Sequence, residues 1–171
     1  MITCPYNISP SAHSEITIEV IFKLDDNFDL TSTQGWIIGH DNGGYDRGLI
    51  LSDQRFGGVG QGIGGIYKSS ISTPSNRVWH HAISTYAQGT EKGTFVCIDG
   101  QCGTATTAHN NNGESTFTIG GLSNYGGHGI KGLVATVRVF PRAFDRTMAA
   151  TAYTLAQMEI QILAGNFYNL P

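Results

Sequence analysis

The sequence predicts an all-β antiparallel sandwich carrying one C-terminal helix. Three observations point to it. Short runs rich in β-branched and aromatic residues recur from Glu15 to Phe140. Glycine, 23 of 171 residues, punctuates the gaps between them. Only beyond Asp145 does the apolar spacing lengthen to three and four residues, the period of a helix.

Composition agrees. Hydrophobic residues make up 40% of the chain, an ordinary share, while the charged fraction of 13% is low for a globular protein. That balance, with abundant Gly, Ser, Thr and Asn, suits a turn-rich β domain rather than a disordered chain. The length suits one domain over 1–171, with a β core over about 15–146 and a helix over about 146–164. A net charge of -3 and a pI near 6.0 offer nucleic acid no electrostatic footprint. No run approaches the ~20 apolar residues of a membrane helix.

In chain order, residues 1–14 hold two prolines and read as a loose lead-in. Ile16, Ile18, Val20, Phe22 and Leu24 then alternate with Thr17, Glu19 and Lys23, the pattern of a half-buried strand in which Ile21 is the one violation. Asp25-Asp26-Asn27 ends it with turn chemistry. Trp36-Ile37-Ile38 and Leu49-Ile50-Leu51 are short strands bounded by glycines, and 56–67 reads as one weak or bulged strand. A loop is expected over 69–77 and strands over 78–86 and 94–98. Residues 105–115 are loop by composition, Phe117-Thr118-Ile119 is a strand, and 122–129 is a glycine-rich loop. Leu133, Ala135, Val137 and Val139 alternate with Val134, Thr136, Arg138 and Phe140 until Pro141, which cannot donate to a ladder. Ala149, Tyr153, Ala156, Ile160 and Leu163 form a helical stripe, with Asp145 suited to the N-cap and Gly165 to the position past the C-cap.

The strongest local signal is Asp99-Gly100. This pair favours a two-residue type I′ hairpin, whose central residues both need positive φ. With that turn Ile98 faces Gln101 and Cys97 faces Cys102 across a non-hydrogen-bonded rung, close enough for a disulfide. A Cys97–Cys102 bond implies an oxidising compartment, and it leaves Cys4 over. Met1 is not followed by a basic region and an apolar run, so no signal peptide is visible. The expectation is an extracellular or cell-surface domain of a longer secreted chain; a cytosolic protein with reduced thiols is the alternative. Asn7-Ile8-Ser9 is a glycosylation acceptor string followed directly by Pro10.

Several stretches resemble one family. Val78-Trp79-His80-His81-Ala82 is similar to the tryptophan-histidine-alanine strand of laminin G-like domains, members of the concanavalin A-like lectin and glucanase jelly rolls. Phe95-Val96-Cys97-Ile98-Asp99-Gly100 resembles that family's aspartate-glycine hairpin, and Phe117-Thr118-Ile119-Gly120-Gly121 the strand after it. Lys131-Gly132-Leu133 and Val137-Arg138-Val139-Phe140-Pro141-Arg142-Ala143-Phe144 resemble the closing strand and the start of its tail. The resemblance covers about residues 15–146 and implies two antiparallel sheets packed face to face, with loops at the rims. It departs in two places: the acid usual near Ala135 or Thr136 is missing, and the helix after Arg146 is longer than the family leads one to expect.

Fold alone does not select a function. Glucanases of this fold set two Glu around an Asp on one strand; here Glu15 and Glu19 enclose Thr17 instead, so glycoside hydrolysis lacks its carboxylates. Gly60-Gln61-Gly62-Ile63-Gly64-Gly65 matches GxGxxG as a string, but no helix follows and no acid stands ~20 residues on, so it is not a dinucleotide loop. His80 and His81 are adjacent and point to opposite faces of a strand, which prevents joint ligation of one metal. His81, on the face of Trp79 and Ile83, is expected to be a core histidine, and His80 to be the one nearer a surface.

Asp41, Asn42 and Asp46 bring three oxygen-bearing side chains beside Gly43-Gly44 and are the candidate calcium ligands. Rim calcium in laminin G-like and pentraxin-like relatives supports the same expectation; an Asx-rich turn under Tyr45 is the alternative. Tyr45, Asn111, Asn124, Tyr125 and His128 combine aromatic, amide and imidazole groups in loops and are the candidate ligand-binding residues, against the alternative of solvated rim loops. The expected function is non-catalytic recognition of a glycan or a protein, through rim loops or a sheet face. A structural domain, or an enzyme of the same fold, is the alternative.

Overall fold

The computed structural model describes residues 1–26, 28, 35–40, 47–52, 55–59, 66–72, 75–108, 114–121 and 128–165, with backbone alone across 52–72. Two antiparallel sheets face each other. The six-stranded sheet runs β1 (Ile2–Cys4), β10 (Phe117–Ile119), β3 (Gly35–Gly39), β4 (Gly48–Ser52), β5 (Arg55–Val59), β6 (Ile66–Ser72). The five-stranded sheet runs β11 (Gly132–Phe140), β2 (Glu15–Leu24), β7 (Trp79–Ala87), β8 (Phe95–Ile98), β9 (Gln101–Cys102). The helix α1 spans Arg146–Leu163.

Between the sheets lies the main core, to which β2 contributes Ile16, Ile18, Val20, Phe22 and Leu24, the face its alternation predicts. A second, smaller core separates the five-stranded sheet from α1. It is built from Ile83, Phe95, Cys97, Phe144 and Ala149. This second layer corrects the reading of β2 as half-buried: Thr17, Glu19 and Ile21 are buried as well. Polar residues are tolerated there because each is paired. Thr17 and Thr85 hydroxyls accept the Phe144 N–H at 3.0 and 2.9 Å, and Thr17 donates to the Arg142 carbonyl at 2.9 Å. They catch the chain as it crosses from β11 to the helix.

The hairpin and helix follow their local signals. Asp99 and Gly100 have φ of 48° and 78°. Cys97 pairs with Cys102 in register, and the two form a disulfide with Cα atoms 4.0 Å apart. Asp145 caps α1 by accepting the Met148 N–H at 2.8 Å, and Gly165 follows the C-cap at φ 80°.

Four expectations need correction. The lead-in is not loose, since Ile2–Cys4 pairs with β10 and Ile8 is buried in the main core. The single weak strand over 56–67 is two antiparallel strands, β5 and β6, and the second continues to Ser72, into the expected loop. In β11 a bulge between Val134 and Thr136 breaks the alternation, so Val134, Val137 and Val139 pack on the main core. His80 does not line a surface. It is buried against Phe22, Nδ1 donates to the Asp99 carboxylate at 2.6 Å, and Nε2 lies 2.8 Å from the Ser75 carbonyl oxygen.

Candidate functional site

Antiparallel pairing sorts the loops onto two opposite rims. At one rim β3, β5, β7 and β11 end and β2, β4 and β10 begin, so residues 5–14, His40, Arg47 and 88–94 meet there, and 114–116 leads into β10 from it. At the other rim β2 ends and β3 and β7 begin, joined by the Asp99-Gly100 turn and by the 120–131 connection. Asp41, Asn42, Tyr45, Asp46, Asn111, Asn124 and Tyr125 lie outside the described residues. The described residues that flank them are His40, Arg47, Ala108 and Glu114 toward the first rim and Gly121 and His128 toward the second. Strands of five to ten residues separate the two rims by ~17–33 Å at ~3.3 Å per residue.

The first rim has a rigid floor. Arg47 is fully buried (0% exposed), its guanidinium 5.2 Å from the Tyr86 ring centroid, and Nη1 donates to the carbonyls of Ile8 and His13 at 2.9 and 2.6 Å. Burial makes its charge costly and lowers its pKa to about 10, an effect the Tyr86 hydroxyl partly opposes. That hydroxyl accepts the Gly48 N–H and donates to the Gly48 carbonyl, both at 2.9 Å. The His40 N–H donates to the Arg47 carbonyl at 3.1 Å, closing the neck of the 41–46 segment. Gly48 must lack a side chain, because a Cβ there would stand 2.7 Å from the Trp36 ring.

Beside this floor sits a platform that the sequence did not single out. Tyr6 and His13 stack with ring centroids 5.4 Å apart and planes 13° from parallel, and the Tyr6 hydroxyl donates to His13 Nε2 at 2.9 Å. The Asn7 side chain accepts the Ser9 N–H at 2.8 Å, and the Ala12 and His13 amides donate to the Ser9 carbonyl, so the arm is folded rather than trailing. A Tyr-x6-His spacing carries no strand or helix period, and nothing local signals the pairing.

At the second rim, His128 is half-buried and its carbonyl accepts the Trp36 N–H at 2.8 Å, which places it against the sheet. The same rim carries Trp79, with Lys23 Nζ 5.0 Å above its ring, and an Arg77–Asp26 ion pair. Among the described residues no three His, Cys, Asp or Glu side chains group as a metal site.

The outer face of the five-stranded sheet holds the densest charge cluster. His81 Nε2 donates to Glu19 at 2.9 Å, and Arg138 bridges Glu19 at 3.3 Å and Glu159 at 2.6 Å. Glu159 also accepts from the Thr136 hydroxyl. Burial pushes the Glu159 carboxyl up, but the hydrogen bonds from Thr136 and Arg138 with the Arg138 charge outweigh it, and its pKa falls below the usual value. Arg138 is raised in turn, first by its hydrogen bond to Glu159. β11 has no acid at Ala135 or Thr136, and the carboxylate that stands beside Thr136 comes from α1. His81 is buried as expected, with Tyr153 of α1 5.8 Å from its ring.

A laminin G profile described as the concanavalin A-like lectin/glucanases superfamily matches residues 3–148. The chain belongs to this superfamily. No curated protein matches it. Among solved structures, Trypanosoma rangeli sialidase in complex with sialic acid superposes with a TM-score of 0.62 at 18% identity, over 84% of this chain and 23% of that one. A protein from Bacteroides ovatus ATCC 8483 described as carbohydrate-binding gives a TM-score of 0.62 at 15% identity, over 88% of this chain and 44% of that one. A receptor binding domain gives 0.61 at 10%, over 85% and 36%. The chain therefore spans less than half the length of these proteins, and at such identities the likeness is one of fold.

Proposed function

We propose that this superfamily member is a non-catalytic carbohydrate-recognition module of an extracellular protein, reading its ligand at the rim of residues 5–14, His40 and Arg47. One observation carries the reading: the buried Arg47–Tyr86 floor lies directly beside the exposed Tyr6–His13 stack. Recognition sites pair a preformed apolar or aromatic surface with a few fixed polar groups. A flat, hydrogen-bonded ring pair beside a braced loop meets that description, and Tyr45 and Asn111 would add to it from the same rim. Calcium held by Asp41, Asn42 and Asp46 would supply a hard cation for sugar hydroxyls, with the His40–Arg47 neck holding both ends of the loop. Over its middle strands, the outside of the five-stranded sheet is covered by α1.

The carboxylates of that face also support a non-catalytic reading. A glycosidase acid needs a raised pKa, whereas Arg138 holds Glu159 ionised and hydrogen-bonds Glu19. The disulfide supports an oxidising compartment.

A glycan array with the isolated chain, run with calcium and with chelator, tests this. Binding to a defined glycan class is expected, weakened at least tenfold by Tyr6→Ala, with an upward melting shift in calcium. Absence of glycan binding, or binding indifferent to Tyr6→Ala, overturns the site; release of a cleaved sugar overturns the non-catalytic reading.

A further inference from the structure

The five-stranded sheet ends at β11, and among the described residues no strand pairs with its outer edge. This edge is long, nine residues from Gly132 to Phe140, and holds neither Lys nor an internal Pro. Apart from the bulge at Ala135 and the charge of Arg138, it lacks the devices that normally blunt an edge. Its core-facing residues Val134, Val137 and Val139 are only partly buried, as follows from an edge with no neighbour.

Alongside it, α1 presents an open apolar stripe: Leu155, Met158 and Ile162, three and seven residues apart, are 62%, 43% and 42% exposed. Between helix and strand lies a groove of about 490 Å³, apolar where Phe140, Phe144, Met148 and Leu155 line it and floored by the Glu19–Arg138–Glu159 cluster. At its mouth the exposed Arg142 guanidinium stands 5.5 Å over the Phe144 ring.

We propose that the free edge of β11 and the adjoining α1 flank dock an extended strand of a protein partner, bearing bulky apolar side chains at alternate positions and a carboxylate where it passes Arg142. The backbone decides for a strand: alternate N–H and C=O groups of β11 point outward, and only an extended chain satisfies them in series. Side chains on one face of that strand fill the groove, and those on the other cover the exposed edges of Val134, Val137 and Val139. Charge complementarity comes from Arg142, since Arg138 is already committed to Glu19 and Glu159.

A second copy fits less well. Pairing β11 with itself would place a two-fold axis about 2.5 strand spacings, ~12 Å, from β7, over which α1 packs. The two helices would then stand ~24 Å apart, about twice a helix diameter, leaving both grooves unfilled.

The test uses the whole chain and synthetic nine-residue peptides with Leu or Phe at alternate positions, Thr between them and Glu at one end. Expected are saturable binding, tenfold or greater weakening by Leu155→Glu and by Arg142→Glu with unchanged melting, and loss of binding on N-methylation of one alternate set of peptide amides but not the other. Failure of every peptide to bind, equal tolerance of both N-methylated sets, or indifference to Leu155→Glu overturns the proposal. So does a concentration-dependent dimer in sedimentation that Leu155→Glu disperses, which would assign the edge to a second copy. Leu155 lies on α1, away from the rim proposed for glycan, whereas Arg142 follows the end of β11 at that rim; glycan binding therefore persists in Leu155→Glu whichever way the peptide result falls.

Discussion

Removing the Glu19 carboxylate tests whether the polar cluster beneath α1 holds the helix to the sheet. Glu19 and His81 are 3% and 1% exposed, and their hydrogen bond is 2.9 Å long. In Glu19→Ala the buried His81 Nε2–H loses its acceptor, at a cost of about 1–3 kcal/mol. Loss of the hydrogen-bonded charge as well brings the total to about 3 kcal/mol, the low end for breaking a buried pair. The low end applies because Arg138 is 42% exposed and keeps Glu159, so its share is screened. For a domain of this size that corresponds to a melting point lower by about 6–12 °C.

Glu19→Gln separates the hydrogen bond from the charge. The amide oxygen still accepts from His81, and the difference between a charged and a neutral hydrogen bond is about 1 kcal/mol. Replacing both partners with apolar residues, Glu19→Leu with His81→Phe, should recover much of the loss, because no buried polar group is left alone. Urea unfolding followed by far-UV circular dichroism measures all three, and the double-mutant cycle reads the coupling. The reasoning fails if Glu19→Ala lies within about 1 kcal/mol of the parent chain, or if Gln is as damaging as Ala.

Two further outcomes follow from the geometry. Unfolded but unreduced protein should present one reactive thiol, Cys4, rising to three after reduction, and Cys97→Ser with Cys102→Ser should cost about 2 kcal/mol on the chain-entropy account of so small a loop; three thiols before reduction would remove both the bond and the oxidising compartment. The lowered pKa of Glu159 gives a signed pH effect: its contribution is fully present above the ordinary carboxyl value of 4.5 and is lost as pH falls through the lower folded value. Glu159→Gln should therefore flatten the acid limb of the stability curve, and parallel curves for variant and parent below pH 4.5 would contradict the assignment.

What was legible in the sequence was local. Asp99-Gly100, the Cys97–Cys102 rung, Asp145 and Gly165 each act within a few residues, and their chemistry permits few alternatives. What was not legible depends on segments remote in the chain. Thr17 and Glu19 read as a polar outer face because nothing near them announces that residues 142–163 will cover it. The bulge at Ala135 exchanges Leu133 for Val134 on the inward face while Val137 and Val139 stay, so period-two counting misplaces the first part of β11. The candidate site shows the same limit. Asn111 and Asn124 lie outside the described residues, and the Tyr6–His13 platform joins two residues whose spacing has no strand or helix period, with Arg47, remote in the chain, holding the His13 carbonyl.

The two departures from the family pattern meet at one place. β11 lacks its own acid near Thr136, and α1 runs long enough to bring Glu159 there, where it meets Thr136 and Arg138. A helix ending a turn earlier, before Glu159, would leave Arg138 bound to Glu19 alone and would take Ile160, Ile162 and Leu163 with it. Leu155 and Met158 would stay, and so would the apolar lining of the groove from Met148 to Ala156. The last turn of α1 therefore serves the Arg138–Glu159 bridge, whereas the groove is built by the turns before it.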